Sequence, residues 1–206
     1  MTDSIARLPL GELLAQLGDK RPAPGGGAAA CLAGATAAAL ARMVVEYSLG
    51  RKSLAEHAGA LEAHRRTLLR LTAMFIELAD EDAAAYGLVN HLSRLPEGDP
   101  RRAAELPSAQ AAAIAAPRAA LAAASDLLRL LERLVTITNP HLRSDLAIAA
   151  VLAEGAARSA WWNIAVNLPT IADERARAEV RRESDHETAE AEDRRKRIDA
   201  AIAPTG

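Results

Sequence analysis

The chain has 206 residues and a formal net charge of −2, and although 50% of its residues are hydrophobic, only 2% are aromatic. This length suits one substantial hydrophobic core and is short for two, so we expect a single domain over residues 1–206. The nearly balanced charge, with no basic stripe between aromatic residues, argues against nucleic acid as a main partner.

Alanine supplies most of the apolar residues, and no alternating strand pattern persists along the chain. This composition is typical of closely packed helices, and the sequence predicts an all-α bundle of about six helices. The first helix is expected from about Pro9 to Gly18, where four leucines fall on one helical face.

A rigid turn is predicted over Pro22–Gly27, which holds two prolines and three glycines. A helix should follow from about Gly27 to Leu49, with Gly50 as its C-cap residue. The first amides of such a helix could bind an anion or a polar ligand. The alternative is a tight loop that leads into a core helix. Small residues recur along one face and would let a neighbour approach closely: Ala30, Gly34 and Ala38.

A third helical segment is predicted to begin near Ser53, an N-cap residue with Glu56 in a capping box. Asp82 occupies one position of its apolar stripe. Burial there would raise the pKa of Asp82, as proton transfer requires. Alternatively, the helix breaks near Asp80 and leaves Asp82 in solvent. The stripe has seven-residue spacing: Leu54, Leu61, Leu68, Phe75, Asp82 and Val89.

The second half of the chain predicts three more helices. Residues 95–107 contain three prolines and are expected to form a loop, followed by a helix over about 108–137 that Pro117 kinks or restarts. Asn139 and Pro140 are expected to end this helix. Beyond Asp173 the alternating charges predict a solvated helix with many ion pairs, or a helical arm on a partner subunit.

A fifth helix is expected from about Leu142 or Ser144 to Asn167. Asp145, Asn163 and Asn167 share one face of it with mostly small residues. This pattern fits a buried polar site. It fits equally well a set of packing hydrogen bonds, with Asp145 placed at the positive end of the helix.

Signals for export, membrane association and metal binding are absent from the sequence. The first ten residues lack the apolar core of a signal peptide, and the alanine run at 28–41 looks too short and weakly apolar to span a membrane. We therefore expect a cytoplasmic protein without membrane association. The single cysteine, Cys31, is expected to be a packing residue. The histidines have no metal-ligand spacing, so no metal is expected.

Four segments, in order between about Leu10 and Asp173, resemble the cyclodeaminase/cyclohydrolase family of folate enzymes. They are Pro22–Ala28 with Gly50-Arg51-Lys52, Asp80–Tyr86, Asn139–Asp145 and Asn163–Leu168. The resemblance implies a homodimeric enzyme that acts on one-carbon units of tetrahydrofolate without a metal or a bound redox cofactor.

Two reactions are implied by this resemblance. One is the hydrolysis of 5,10-methenyltetrahydrofolate to 10-formyltetrahydrofolate, and the other is the closure of 5-formiminotetrahydrofolate with loss of ammonia. We favour the cyclohydrolase, because the cyclodeaminase commonly accompanies a formiminotransferase and nothing in this sequence resembles one. The motifs do not separate the two. A helical binding or assembly protein of the same fold is the third possibility.

The resemblance also implies roles for individual residues. Asp82 would act as general acid/base or orient a water, and Asp145 would be a second carboxylate or a pterin anchor. Arg51 and Lys52 would receive the anionic glutamate tail of the folate. The other expected substrate-binding residues are Pro24, Gly25, Gly26, Gly27, Tyr86, Asn139, Ser144, Asn163 and Asn167.

The chain departs from the family pattern at two places. Ser53-Leu54 follows Gly-Arg-Lys where a Lys and a Tyr are common, and Glu97 follows Leu95-Pro96 where a Lys is common. Both departures remove positive charge that could meet a folate tail. They imply weaker folate binding, a different glutamate chain length or an altered substrate.

Overall fold

The computed structural model describes residues 4–203, and these residues form six α-helices joined by short turns, without a β-strand. The prediction of an all-α bundle of about six helices is confirmed. The helices are α1 (Leu10–Gly18), α2 (Gly26–Glu46), α3 (Ala58–Ser93), α4 (Pro100–Leu134), α5 (Arg143–Asn167) and α6 (Glu174–Ile202).

Helices α2 to α5 form a four-helix core. In this core α2 packs between α3 and α5, and α4 packs on the other side of the same two helices. One hydrophobic cluster runs through the bundle, and the apolar stripe predicted on α3 contributes three fully buried side chains to it, Leu61, Leu68 and Phe75. Helix α6 lies across α4 and α5.

The small residues of α2 allow α3 to approach its backbone. Ala30 and Ala38 are buried, and a Cβ atom added to Gly34 would lie 2.5–2.7 Å from ring carbons of Phe75. Phe75 itself is fully buried. The absence of a side chain at Gly34 therefore makes room for the aromatic ring, as the predicted small-residue face of this helix requires.

The predicted loop at residues 95–107 is wrong over most of its length. Helix α4 begins at Pro100, because the side chain of Asp99 accepts a hydrogen bond from the Arg101 amide at 2.8 Å and caps the helix. Proline is compatible with the first helical position. Pro107 lies inside the helix, where it removes one backbone hydrogen bond without ending the helix.

The predicted start of α3 is also wrong. Residues Lys52–His57 form a 3-10 helix, Ser53 makes no capping hydrogen bond, and α3 starts at Ala58. At the end of α2, the helix stops at Glu46 and a turn continues to Gly50, whose φ of +76° is a conformation that favours glycine. Gly50 thus terminates the turn after α2.

The charged helix α6 packs on its own chain, as an ion-paired helix with one apolar edge. Glu132 of α4 accepts hydrogen bonds from Arg194 at 2.8 Å and Arg197 at 2.6 Å. Ala191 and Ile198 are buried beneath the charged residues. Exposed ion pairs contribute little each, so the buried apolar edge holds the helix in place.

Two helices are long and apolar enough to cross a membrane by length and composition alone, α2 and a stretch of α4. The run at residues 28–41 was expected to be too short and too weakly apolar to span a membrane. That expectation is wrong for the helix as a whole, because α2 extends beyond these residues. More than half of each apolar stretch is buried inside the bundle, as in other core helices, so the two helices are weak evidence for a membrane.

We predict that Gly34→Ala destabilises the protein by about 1–3 kcal/mol, because the added methyl group overpacks against the buried Phe75 ring. Gly155→Ala in α5 is the matched control. Nothing lies within 4 Å of its added Cβ, so it should be neutral or stabilise by up to about 1 kcal/mol. Urea unfolding measures both, and equal stability of the two variants would contradict the close approach of α2 and α3.

Candidate active site

A cavity of about 250 Å³ lies at one end of the bundle, between the start of α2, the second half of α3 and the end of α5. It brings together residues from four separate parts of the sequence. The lining residues are Pro22, Ala23, Gly25, Gly26, Gly27, Asp82, Ala83, Tyr86, Ala113, Asn163, Val166 and Asn167.

The carboxylate of Asp82 lies directly against the first turn of α2. A Cβ atom on Gly27 would overlap the carboxyl carbon and both oxygens of Asp82. Any larger residue at position 27 would therefore displace the carboxylate. Gly27 thus allows the Asp82 side chain to lie against the backbone of α2, in addition to its place in the turn.

The start of α2 presents backbone N–H groups to the cavity. The first hydrogen bond of the helix runs from the Ala29 amide to the Gly25 carbonyl at 3.0 Å, so the amides of Gly26 and Gly27 precede the helical ladder. Within residues 4–203 no hydrogen-bond acceptor is paired with either amide. They are available to a polar atom of a ligand.

Two asparagines complete the polar lining from α5. The Nδ2 atom of Asn163 donates to the Ser159 carbonyl at 2.9 Å, and a Cβ atom on Gly26 would lie 3.8 Å from Asn163 Oδ1. Asn167 Nδ2 donates to the carbonyls of Asn163 and Ala113, at 2.8 and 3.2 Å. Each asparagine is therefore held by backbone contacts and still borders the cavity.

Burial raises the pKa of the Asp82 carboxyl, and the backbone amide of Ala28 acts in the opposite direction. Helix α3 continues past Asp80 without a break, so Asp82 is partly buried and the alternative of a broken helix is wrong. Burial and then the neighbouring charge of Asp82 raise the pKa of the Cys31 thiol to about 12. Cys31 is therefore a protonated packing residue beside the site. No lysine or arginine belongs to the cavity lining, so Asp82 is its charged group.

Arg51 and Lys52 lie at the opposite end of the bundle from this cavity. Helices α2 and α3 are antiparallel, since Gly34 faces Phe75 and Gly27 faces Asp82. Both basic residues follow the end of α2, whereas the cavity is at its start, so about 30 Å of helix separates them. Within one chain neither side chain reaches the cavity.

Three further predicted residues belong to the same distant end. Asp145 and Ser144 are in the first turn of α5, while Asn163 and Asn167 are near its end, about 27–35 Å along the axis. Asn139 is buried. Its backbone N–H donates to Ser48 Oγ at 2.9 Å, and its side-chain oxygen accepts a hydrogen bond from the backbone N–H of His141. Asn139 thus has a capping role in the turn before α5.

The remaining predicted residues are closer to the cavity. Gly25, Gly26, Gly27 and Tyr86 line it, and Pro24 lies within the turn beside it without forming part of the lining. Ser53 and Glu97, the two departures in charge, are both outside the lining. The loss of a positive charge at these positions therefore does not alter the cavity of a single chain.

Five lining residues were not predicted as site residues, although all but Ala113 lie within the predicted turn or the family-like segments: Pro22, Ala23, Ala83, Ala113 and Val166. Ala113 had a detectable signal, because Pro117 lacks an N–H and leaves unpaired the carbonyl four residues earlier. The others are apolar residues whose position depends on packing. Across the described part of the chain, no group of three or more His, Cys, Asp or Glu side chains could hold a metal ion.

The family described as Formiminotransferase-cyclodeaminase matches residues 9–186 of this chain. The Formimidoyltransferase-cyclodeaminase of Sus scrofa is 33% identical over 186 residues, which cover 86% of this chain and 34% of that protein. The chain thus spans about a third of the length of that relative. The Methenyltetrahydrofolate cyclohydrolase of Methylorubrum extorquens is 34% identical over 172 residues, covering 80% of this chain and 81% of that one.

The fold is shared with a solved structure. The crystal structure of formiminotetrahydrofolate cyclodeaminase from Thermotoga maritima matches with a TM-score of 0.88 and 28% identity, over 96% of this chain and 97% of that one. The suspected family resemblance is thereby confirmed in sequence and in three dimensions. With a family match over most of its length and the same helical fold, the chain belongs to the formiminotransferase-cyclodeaminase family.

Proposed function

We propose that this chain hydrolyses 5,10-methenyltetrahydrofolate to 10-formyltetrahydrofolate, with Asp82 as the proton-transfer group. The observation that carries the proposal is the partly buried carboxylate of Asp82, set against the free amides at the start of α2. The methenyl bridge of the substrate is a cationic amidinium. A cavity whose charged group is one carboxylate suits such a ligand, because opposite charges attract strongly where water is scarce.

The proposed chemistry needs one proton carrier. As water adds to the methenyl carbon, the Asp82 carboxylate takes a proton from it, which leaves a neutral hydroxyl on a tetrahedral carbon. The bond from that carbon to N5 then breaks, N5 receives a proton from Asp82, and the hydroxyl proton is lost as the formyl C=O forms on N10. A raised pKa brings the carboxyl closer to the ideal for both transfers.

The backbone and the two asparagines would orient the substrate in this scheme. The amides of Gly26 and Gly27 would donate to the oxygen that develops on the tetrahedral carbon, a role for which helix starts are suited. Asn163 and Asn167 would hold the pterin edge. The reaction changes no oxidation state, so the proposal includes no redox cofactor, and in this scheme Asp82 carries the proton without a metal.

A second candidate is the cyclodeaminase reaction, in which N10 of 5-formiminotetrahydrofolate attacks the formimino carbon and ammonia leaves. The Thermotoga maritima protein named as this cyclodeaminase is matched over 97% of its length. A protein of about this length is thus named a cyclodeaminase without a formiminotransferase segment. The lack of such a segment here therefore does not favour the cyclohydrolase over the cyclodeaminase. In this candidate Asp82 would protonate the leaving nitrogen.

A homodimer is part of the proposal, because the cavity in one chain is small. Its volume of about 250 Å³ is below the roughly 300–1,000 Å³ of most ligand pockets, and a folate with its glutamate tail is a long molecule. Val166, which lines the cavity, is 68% exposed. An additional wall would have to come from another chain.

Helix α5 offers an apolar surface for that second copy. Ile148, Val151, Trp162 and Val166 are all exposed and fall within about 60° of one another around the helix. If two copies pack antiparallel along this surface, Arg51 and Lys52 of one copy approach the cavity of the other. The tail-binding role proposed for the two basic residues then becomes possible in the dimer.

We predict that purified protein accelerates the loss of methenyltetrahydrofolate absorbance above the spontaneous rate, and that Asp82→Asn reduces kcat by about 10²–10⁴. The exposed neighbour Glu81→Gln is the control and should retain activity. Near-normal turnover by Asp82→Asn would remove its proposed role. If the wild type forms the chromophore from 5-formiminotetrahydrofolate instead, the cyclodeaminase replaces the cyclohydrolase. If neither reaction is detected, a non-catalytic binding protein is favoured.

Asp82 should also make stability depend on pH. Its pKa is higher in the folded than in the unfolded chain, so the folded chain binds more protons between the two values and the free energy of unfolding falls as pH rises through them. Asp82→Asn should therefore be more stable than wild type at pH 7. The difference should shrink as pH falls below the unfolded pKa, which thermal melts of both proteins at several pH values would measure.

The dimer proposal predicts complementation between two inactive variants. Asp82→Asn and the double variant Arg51→Ala/Lys52→Ala should each lose activity alone. After subunit exchange in an equal mixture, half of the dimers are mixed and each regains one intact site, so about a quarter of wild-type activity should return. Full activity of the double variant, or no recovery in a mixture shown to have exchanged, would refute the shared site.

A further inference from the structure

Proline at position 117 interrupts the hydrogen bonds of α4 beside the cavity. In an α-helix the N–H of residue 117 would bind the carbonyl of residue 113, but proline has no N–H, and its ring pushes that carbonyl aside. Pro117 and Ala113 are both buried. A buried carbonyl without a donor is costly, so Ala113 requires a partner from outside the helix.

Asn167 supplies that partner across the bundle. Its Nδ2 atom donates to the Ala113 carbonyl at 3.2 Å and to the Asn163 carbonyl at 2.8 Å. A side-chain amide has two N–H donors, and both are used in these contacts. In the flipped orientation Asn167 Oδ1 would face two carbonyl oxygens, so the orientation is fixed by its surroundings.

We propose that Pro117 is a positioning residue of the site: by releasing the Ala113 carbonyl, it holds the Asn167 amide so that its oxygen faces the ligand. No donor within residues 4–203 hydrogen-bonds to that oxygen, and Asn167 lines the cavity. Asn167 therefore accepts a hydrogen bond from a ligand N–H group and discriminates against a ligand with an acceptor at that place. This inference rests on the proposed function in taking the pterin as the source of the N–H.

Pro117→Ala tests the proposal without deleting a polar contact to the ligand. The substitution introduces a backbone N–H that can pair with the Ala113 carbonyl inside α4, and the Asn167 amide loses one of its two anchors. We expect KM for the folate substrate to rise about three- to tenfold with kcat nearly unchanged, the size of one neutral hydrogen bond. Protein stability should change little, because the restored helix hydrogen bond offsets the ring carbons lost from a buried position.

Pro107→Ala is the matched control. Pro107 also lies inside α4, but it is exposed and outside the cavity lining. Its replacement should leave KM unchanged. An equal rise in KM in both proline variants would assign the effect to the shape of α4 and overturn the positioning role.

A double-mutant cycle in urea unfolding tests the same contact independently of catalysis. In the wild-type background Asn167→Ala leaves the Ala113 carbonyl without a donor and should lower the unfolding midpoint. In the Pro117→Ala background most of that loss should disappear. Equal losses in both backgrounds would overturn the proposal. If the wild type turns over neither folate, the proposed function is wrong. The unfolding cycle still tests whether Pro117 positions Asn167.

Discussion

The close approach of α2 and α3 is the constraint on which the site depends. Two glycines of α2 make it possible, Gly34 against the Phe75 ring and Gly27 against the Asp82 carboxylate. They are seven residues apart on α2, as Phe75 and Asp82 are on α3, so one antiparallel packing interface sets both contacts. The apolar contact fixes the separation and register of the helices, and that register brings the carboxylate to the helix start.

The chemical character of the cavity follows from this packing. An aspartate in an apolar stripe is desolvated, which raises its pKa, and it is tolerated because it borders a cavity and a backbone amide. Backbone irregularities supply or hold several of the other polar groups at the site. The first amides of α2 have no acceptor within the helix. Pro117 in α4 leaves the Ala113 carbonyl without a donor from its own helix, and this carbonyl accepts a hydrogen bond from Asn167.

The bundle also separates residues that the motifs group together. A helix of 21 residues is about 30 Å long, so the two ends of α2 belong to opposite ends of the molecule. Asp82, Asn163 and Asn167 gather at one end, and Arg51, Lys52 and Asp145 lie near the other. In the proposed homodimer, a second copy packed on the exposed apolar surface of α5 would bring the two groups together.

The sequence by itself determined the helical class, the positions of most helices and the unusual placement of Asp82, because periodicity is a local property of the chain. It missed the start of α4, which the side chain of Asp99 caps, and the start of α3, which follows a 3-10 helix and has no side-chain cap. It also could not decide which motif residues share a cavity, since a helical face repeats along its whole length. Only the tertiary structure, through the antiparallel order and register of the helices, grouped Asp82 with Asn163 and Asn167 and set Arg51 and Asp145 apart.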